Sequence, residues 1–108
     1  MLSSKLLDNK TIIITGSSRG IGREMALKFA AQGANVVIAA KSVEPHPKLP
    51  GTIHSVAKEV DEAGGHGLAV QVDVRDDDSI KTLIEKTVAR FGGIDVVINN
   101  AGAIKLAG

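Results

Sequence analysis

The stretch TIIITGSSRGIGREMALKFA, residues 11–30, decides how the rest of the chain is read. Its first five residues, Thr11 to Thr15, are all β-branched, the composition of a strand. Beyond Gly20 the period changes: Ile21, Met25, Phe29 and Ala30 recur at helical spacing and are expected to share one face. The run Thr15-Gly16-Ser17-Ser18-Arg19-Gly20-Ile21-Gly22 therefore occupies a tight strand-to-helix turn. Gly16 lets the chain reverse at the strand end. Gly20 lacks a Cβ, so a ligand's pyrophosphate can approach the backbone. Gly22 lets the helix lie close to the sheet. The helix start offers unpaired N–H groups and a partial positive charge to an anion, worth about 0.3–1 kcal/mol when exposed. Ser17 and Ser18 add hydroxyl donors. A glycine-rich turn that binds nothing is the alternative, and the strand–turn–helix context weighs against it. The G-x-x-x-G-x-G spacing differs from G-x-G-x-x-G, and no Gly-Lys-Ser/Thr follows to make a P-loop.

Working outward, three further runs are rich in Val and Ile or otherwise apolar: Asn35–Ala40, Leu68–Val74 and Ile94–Ile98. They are apolar almost throughout rather than alternating, which predicts strands buried on both faces of a parallel sheet. Two more helical segments lie between them. Ile53, Val56, Ala57 and Val60 mark the face of one, and Ile80, Leu83, Ile84, Val88 and Phe91 that of the other. Each helical segment stops at glycine, at Gly33, Gly64-Gly65 and Gly92-Gly93, where a left-handed C-cap is expected. Thr52 and Asp76 or Asp77 are candidate N-caps. All three prolines, Pro45, Pro47 and Pro50, fall in Ser42–Gly51, which reads as an extended loop between the second strand and its helix. The order β-α-β-α-β-α-β with right-handed crossovers predicts an α/β fold, a parallel sheet with helices on both faces.

Composition narrows the chemistry. At 108 residues one domain is the expectation. Thirteen basic against 12 acidic residues argue against a nucleic-acid or membrane-surface partner. With no cysteine there is no disulfide, thiolate nucleophile or sulfur-ligated metal. No apolar run reaches about 18 residues, so no membrane span is expected, and Met1 to Lys10 lacks the apolar core of an export signal. His46, His54 and His66 have no metal-binding spacing and read as surface residues, while Phe29 and Phe91 read as core.

With these motifs in place the chain resembles the short-chain dehydrogenase/reductase family. Thr15–Gly22 is similar to that family's T-G-x-x-x-G-x-G cofactor turn. Asn99-Asn100-Ala101-Gly102 is similar to its N-N-A-G, and Asp73-Val74 to the strand-end aspartate that meets the adenine. The proline loop is the distinguishing part, since most of the family lacks it. The resemblance implies a Rossmann-type domain with strand order 3-2-1-4, of which residues 1–108 are the N-terminal part. It implies a nicotinamide cofactor contacted by Gly16, Ser17, Ser18, Arg19, Gly20, Ile21, Gly22, Lys41, Asp73, Val74, Asn100, Ala101 and Gly102. Asn100 is expected to brace backbone between neighbouring strands, and Asn100-Ala101-Gly102 to border the cofactor.

The identity of that cofactor rests on charge. An NAD site usually places an acid at the end of the second strand for the ribose 2′-OH. Here that strand ends Ala39-Ala40-Lys41, and Arg19 sits in the glycine turn. Two cations and no carboxylate suit a 2′-phosphate, so NADP(H) is expected over NAD(H); a solvated surface lysine at position 41 is the alternative. Asp73 stands at a strand end, where open α/β sheets bind ligands, although the nearby Asp76, Asp77 and Asp78 read as helix-start residues.

The family's catalytic tyrosine, followed four residues later by lysine, has no counterpart here, because the chain contains no tyrosine. No catalytic residue is therefore assigned, and the chain reads as the cofactor part of a longer oxidoreductase acting on an alcohol or carbonyl, a lipid among the candidates. A non-catalytic module that binds a nucleotide, or pairs with another chain through the open edge of the fourth strand, is the alternative. A methyltransferase would want an acid where Ala40 stands. The resemblance suggests a peroxisomal or mitochondrial setting, although Leu106-Ala107-Gly108 is no peroxisomal address.

Overall fold

The computed structural model describes residues 6–16, 20–41 and 52–100. Ser17, Ser18, Arg19, Ala101, Gly102 and the proline loop lie outside the described residues. Seven elements alternate: β1 (Thr11–Thr15), α1 (Gly20–Ala31), β2 (Asn35–Ala40), α2 (Ile53–Ala63), β3 (His66–Gln71), α3 (Asp77–Phe91) and β4 (Val96–Asn99). All strands are parallel, in the order β3-β2-β1-β4, as the alternation predicted. The register pairs Ile13 with Val37 and Val97, so the carboxyl ends of β1, β2 and β4 come out level beside that of β3.

Alternate side chains of the sheet feed two cores. Ile12, Ile14, Val36 and Ile38 point to the side covered by α1 and α2. Ile13, Val37, Ala39, Val70 and Val72 point to the side covered by α3. Each fully buried Ile or Val contributes about 1.5–3 kcal/mol relative to exposure. β1 is buried from end to end, and so is β2 after Asn35. The expectation of burial on both faces fails for β3 and β4, which form the sheet's edges among the described residues.

The helix ends follow the local chemistry. Thr52 caps α2 in a reciprocal box with Ser55, and Asp76 caps α3 by accepting from the Asp78 amide. Gly33, Gly64 and Gly92 all take positive φ, the left-handed geometry of a C-cap.

The helix faces differ in detail from the periodic expectation. The residues of α1 that reach the sheet are Gly22, Ala26 and Ala30, with Met25 and Phe29 packed at the margin. Ile21 is 69% exposed and does not belong to that face. Small residues prevail because α1 lies close against the strands, and a larger side chain on that line would hold it away. In α3, Leu83 and Thr87 are buried, whereas Ile84 and Val88 are each 44% exposed. Thr87 tolerates burial because its hydroxyl donates to the Leu83 carbonyl at 2.7 Å.

The bounds of two strands also shift. β3 begins at His66 rather than Leu68 and ends at Gln71 rather than Val74. Gly67 belongs to the strand because α2 crosses directly above it: a Cβ there would stand 2.4 Å from the Ala57 carbonyl oxygen. After Val72 donates to the Ala40 carbonyl, the backbone turns at Asp73. β4 begins at Val96 rather than Ile94: the Asp95 amide donates to the Thr11 carbonyl at 2.9 Å, but the Thr11 amide donates to the Asp95 carboxylate, at 2.8 Å, and so is not spent on the backbone ahead of it.

Candidate cofactor site

A parallel sheet brings all its strand ends to one edge, and here that edge carries an open cleft of about 290 Å³. One wall is the end of β1, Thr15 and Gly16. The floor is the end of β2, Ala39 to Lys41. The other wall is the segment after β3, Val72 to Arg75. Gly16 continues the sheet by donating to the Ala39 carbonyl at 2.7 Å, then turns away at φ +69°. Helix α1 starts at Gly20, also left-handed at φ +59°, and a Cβ built there would meet no atom within 4 Å. Its approach to the first turn is thus unblocked by the described residues, the condition a pyrophosphate group needs. Gly22 is buried behind it, and Ile21 is exposed beside it.

The fourth strand end is stitched to the glycine turn. Thr15 Oγ1 donates to Asn99 Oδ1 at 3.0 Å and accepts from the Asn100 amide at 3.1 Å. Asn100 Nδ2 donates to the Gly16 carbonyl at 3.2 Å. Asn100 therefore braces the turn of a neighbouring strand, in the manner expected from its position.

Lys41 is exposed at the end of β2, and its carbonyl accepts from Gln71 Nε2 at 3.0 Å. Asp73 is held from two sides. Its amide donates to Ser79 Oγ at 2.8 Å, which ties it to α3. Its Oδ1 accepts from the Arg75 amide at 3.0 Å and from Arg75 Nε at 3.2 Å. The Arg75 side chain and amide, with a smaller contribution from Lys41, hold the Asp73 carboxyl below its usual range. Arg75 is raised in turn by Asp73. Val74 packs against the α3-side core while also lining the cleft. Below the cleft, Arg23 of α1 makes a two-point ion pair with Glu59 of α2, with Nε to Oε1 at 3.0 Å and Nη2 to Oε2. That pair joins the helix that opens at the cleft to its neighbour.

Of the residues anticipated from sequence, Gly16, Lys41, Asp73 and Val74 line the cleft. Gly20, Ile21 and Gly22 open the adjoining helix, and Asn100 braces the turn. Sequence reasoning missed Arg75, Gln71 and Ser79. The signal for Arg75 was available: an aspartate at a strand end, two residues before it, tends to bond its own backbone two residues on.

An open parallel sheet with a glycine turn and a cleft across its carboxyl ends defines a dinucleotide-binding domain. The family model described as short chain dehydrogenase matches residues 10–107, and the chain belongs to that family. It is 59% identical over 98 residues to hydroxysteroid dehydrogenase-like protein 2 of Danio rerio, covering 91% of this chain and 24% of that protein. It is similar in structure to a short chain dehydrogenase of Mycobacterium thermoresistibile, with a TM-score of 0.85 and 54% identity over 94% of this chain and 36% of the other. An NADH-dependent reductase, A1-R′, complexed with NAD, matches with a TM-score of 0.77 and 35% identity over 92% of this chain and 38% of its own. The chain spans about a quarter of the length of the hydroxysteroid dehydrogenase-like relatives it matches.

Proposed function

We propose that residues 1–108 are the N-terminal part of one dinucleotide-binding domain, and that the domain takes NADP(H) in preference to NAD(H). The observation that carries this is the cleft floor: β2 ends at Ala40 and Lys41 follows it, with no carboxylate where a ribose 2′-OH would need an acceptor. The Lys41 ammonium suits a 2′-phosphate at that point, and Arg19, outside the described residues, is the second cation. The pyrophosphate lies over Gly16, Ser17, Ser18 and the amides at the start of α1, and the adenine lies against Asp73 and Val74. Ala101 and Gly102, outside the described residues, border the cofactor with Asn100 in this reading. When bound, the nicotinamide supplies hydride transfer to or from an alcohol or carbonyl substrate, with a lipid the proposed class. The proton that accompanies the hydride needs a group that these residues do not offer, so the 108-residue chain shows no reductase turnover with any carbonyl compound.

A chain-pairing module is the second reading. It rests on β4, which pairs only with β1 among the described residues and leaves Val97 59% exposed. Calorimetric titration with 2′-phospho-ADP-ribose and ADP-ribose tests the first reading, because both ligands use only the adenosine half of the cleft. Tighter binding of the phosphorylated ligand is expected. Equal binding would remove the preference, and binding of neither would remove the cofactor reading.

A further inference from the structure

We propose that Arg75 is a positioning residue for nucleobase selection: it fixes the Asp73 carboxylate so that one oxygen faces an exocyclic amine of the base. The inference rests on the cofactor reading above and concerns a residue that reading does not use. Arg75 lines the cleft, and its side chain is 73% exposed, yet it folds back onto Asp73, whose own side chain is 35% exposed. The two carboxylate oxygens are unequally served. Oδ1 accepts two bonds from Arg75, at 3.0 Å from the amide and 3.2 Å from Nε. Oδ2 has only Arg75 Nη2 at 3.4 Å among the described residues, a long contact that leaves acceptor capacity. The Asp73 backbone cannot turn to redistribute these bonds, because its amide is tied to Ser79 Oγ at 2.8 Å. Arg75 therefore decides which oxygen stays available. An ionised oxygen accepts but cannot donate, so it favours a base bearing an amine, adenine, over one bearing a carbonyl at that position, hypoxanthine.

The test compares 2′-phospho-ADP-ribose with its hypoxanthine counterpart by calorimetry, on the 108-residue chain and on Arg75→Ala and Arg75→Lys. The unaltered chain should favour the adenine ligand. Because the ion pair is largely exposed, Arg75→Ala should narrow that ratio by about two- to fivefold. Arg75→Lys, which keeps the charge but not the fork, should fall between. Circular dichroism confirms that each variant is folded. An unchanged ratio in Arg75→Ala overturns the proposal, as does an equal loss for both ligands, since that would mean Arg75 only adds positive charge. An unaltered chain that binds both ligands without preference also overturns it while leaving the cofactor reading in place. Binding of neither ligand overturns both.

Discussion

Replacing Gly67 by Ala tests how β3, the strand that leads into the Val72–Arg75 wall of the cleft, is held. An ideal Cβ on Gly67 lies 2.4 Å from the Ala57 carbonyl oxygen and 3.0 Å from both Ala57 C and Ala57 Cα. Carbon–oxygen contacts of this kind settle at about 3.3 Å or more. Helix α2 must then retreat by about 0.9 Å, or β3 must bow by the same amount, because the obstacle is backbone and not a mobile side chain. Retreat lifts Ile53, Val56 and Val60 together, all fully buried in the core on the side where α2 packs on β2 and β3. It also strains the bond from the Gly67 amide to Asp61 Oδ1, now 2.7 Å. Overpacking of a filled core costs about 1–3 kcal/mol. The smaller conformational freedom of Ala in the unfolded chain offsets about 0.4–1 kcal/mol. A net loss of about 1–2 kcal/mol is expected, or roughly 4–15 °C in Tm for a chain of this size. Urea unfolding followed by far-ultraviolet circular dichroism measures it. Gly93→Ala is the control, since a Cβ there meets nothing within 4 Å and Gly93 does not have positive φ. If Gly67→Ala is as stable as the control, the account of why glycine occupies β3 is wrong.

Three further outcomes follow from the site. Lys41→Asp should reverse the order of affinity for 2′-phospho-ADP-ribose and ADP-ribose in calorimetric titration. Charge-assisted contacts to phosphate in a partly dry site are worth about 1.5–3 kcal/mol, so the ratio should move by tenfold or more. Asn100→Ala should lower stability by about 0.5–1.5 kcal/mol, and Asn100→Asp by more, because the Gly16 carbonyl then faces an acceptor where Nδ2 donated; matched urea midpoints for the two variants would contradict the bracing role. The Asp73 carboxyl, followed by carbon-13 NMR, should titrate below the ordinary aspartate range and move back toward it in Arg75→Ala. With the folded value depressed, whatever stability the pair adds is fully present above the unfolded value near 4 and fades only as pH falls through the folded one. Between pH 5 and 8 this group should leave stability unchanged.

What could be read from sequence, and what could not, divides along physical lines. β1 and β2 were legible to the residue because a strand buried on both faces must be apolar almost throughout, as TIIIT and NVVIAA are. The helix stops were legible because a left-handed C-cap strongly favours glycine. The inward line of α1 was not. Periodicity weights large apolar residues, whereas close helix–sheet packing selects Gly22, Ala26 and Ala30 and leaves Ile21 outside. The start of β3 was placed at Leu68 rather than His66 for a related reason: a glycine soon after Gly64-Gly65 carries no strand signal, and only its pairing with Val36 under α2 makes it strand. In the site, the glycine turn, Lys41 and Asp73 follow from strand ends and charge. The roles of Gln71 and Ser79 depend on which elements the sheet order makes neighbours, and no local pattern announces that.

The charges in the cleft also bear on what the site does with a ligand. A general acid or base works best with a pKa near the operating pH. The carboxylate here is moved away from neutrality: Arg75 lowers Asp73, and Asp73 raises Arg75. Each group is locked into its charged form, which suits permanent recognition and disqualifies it as a proton carrier. Among the described residues, the hydroxyl next to the turn, Thr15 Oγ1, is likewise committed, donating to Asn99 and accepting from Asn100. The bare helix start and the fixed carboxylate present the complements of a phosphate and an amine. A cleft built in that way contributes to turnover only through the affinity and orientation of what it holds. Substitutions at Lys41 or Asp73 in a complete enzyme should therefore act chiefly through cofactor affinity, the KM for the dinucleotide, and leave kcat at saturating cofactor nearly unchanged. A large fall in kcat with that KM unaltered would place one of these groups in the chemical step and contradict this division.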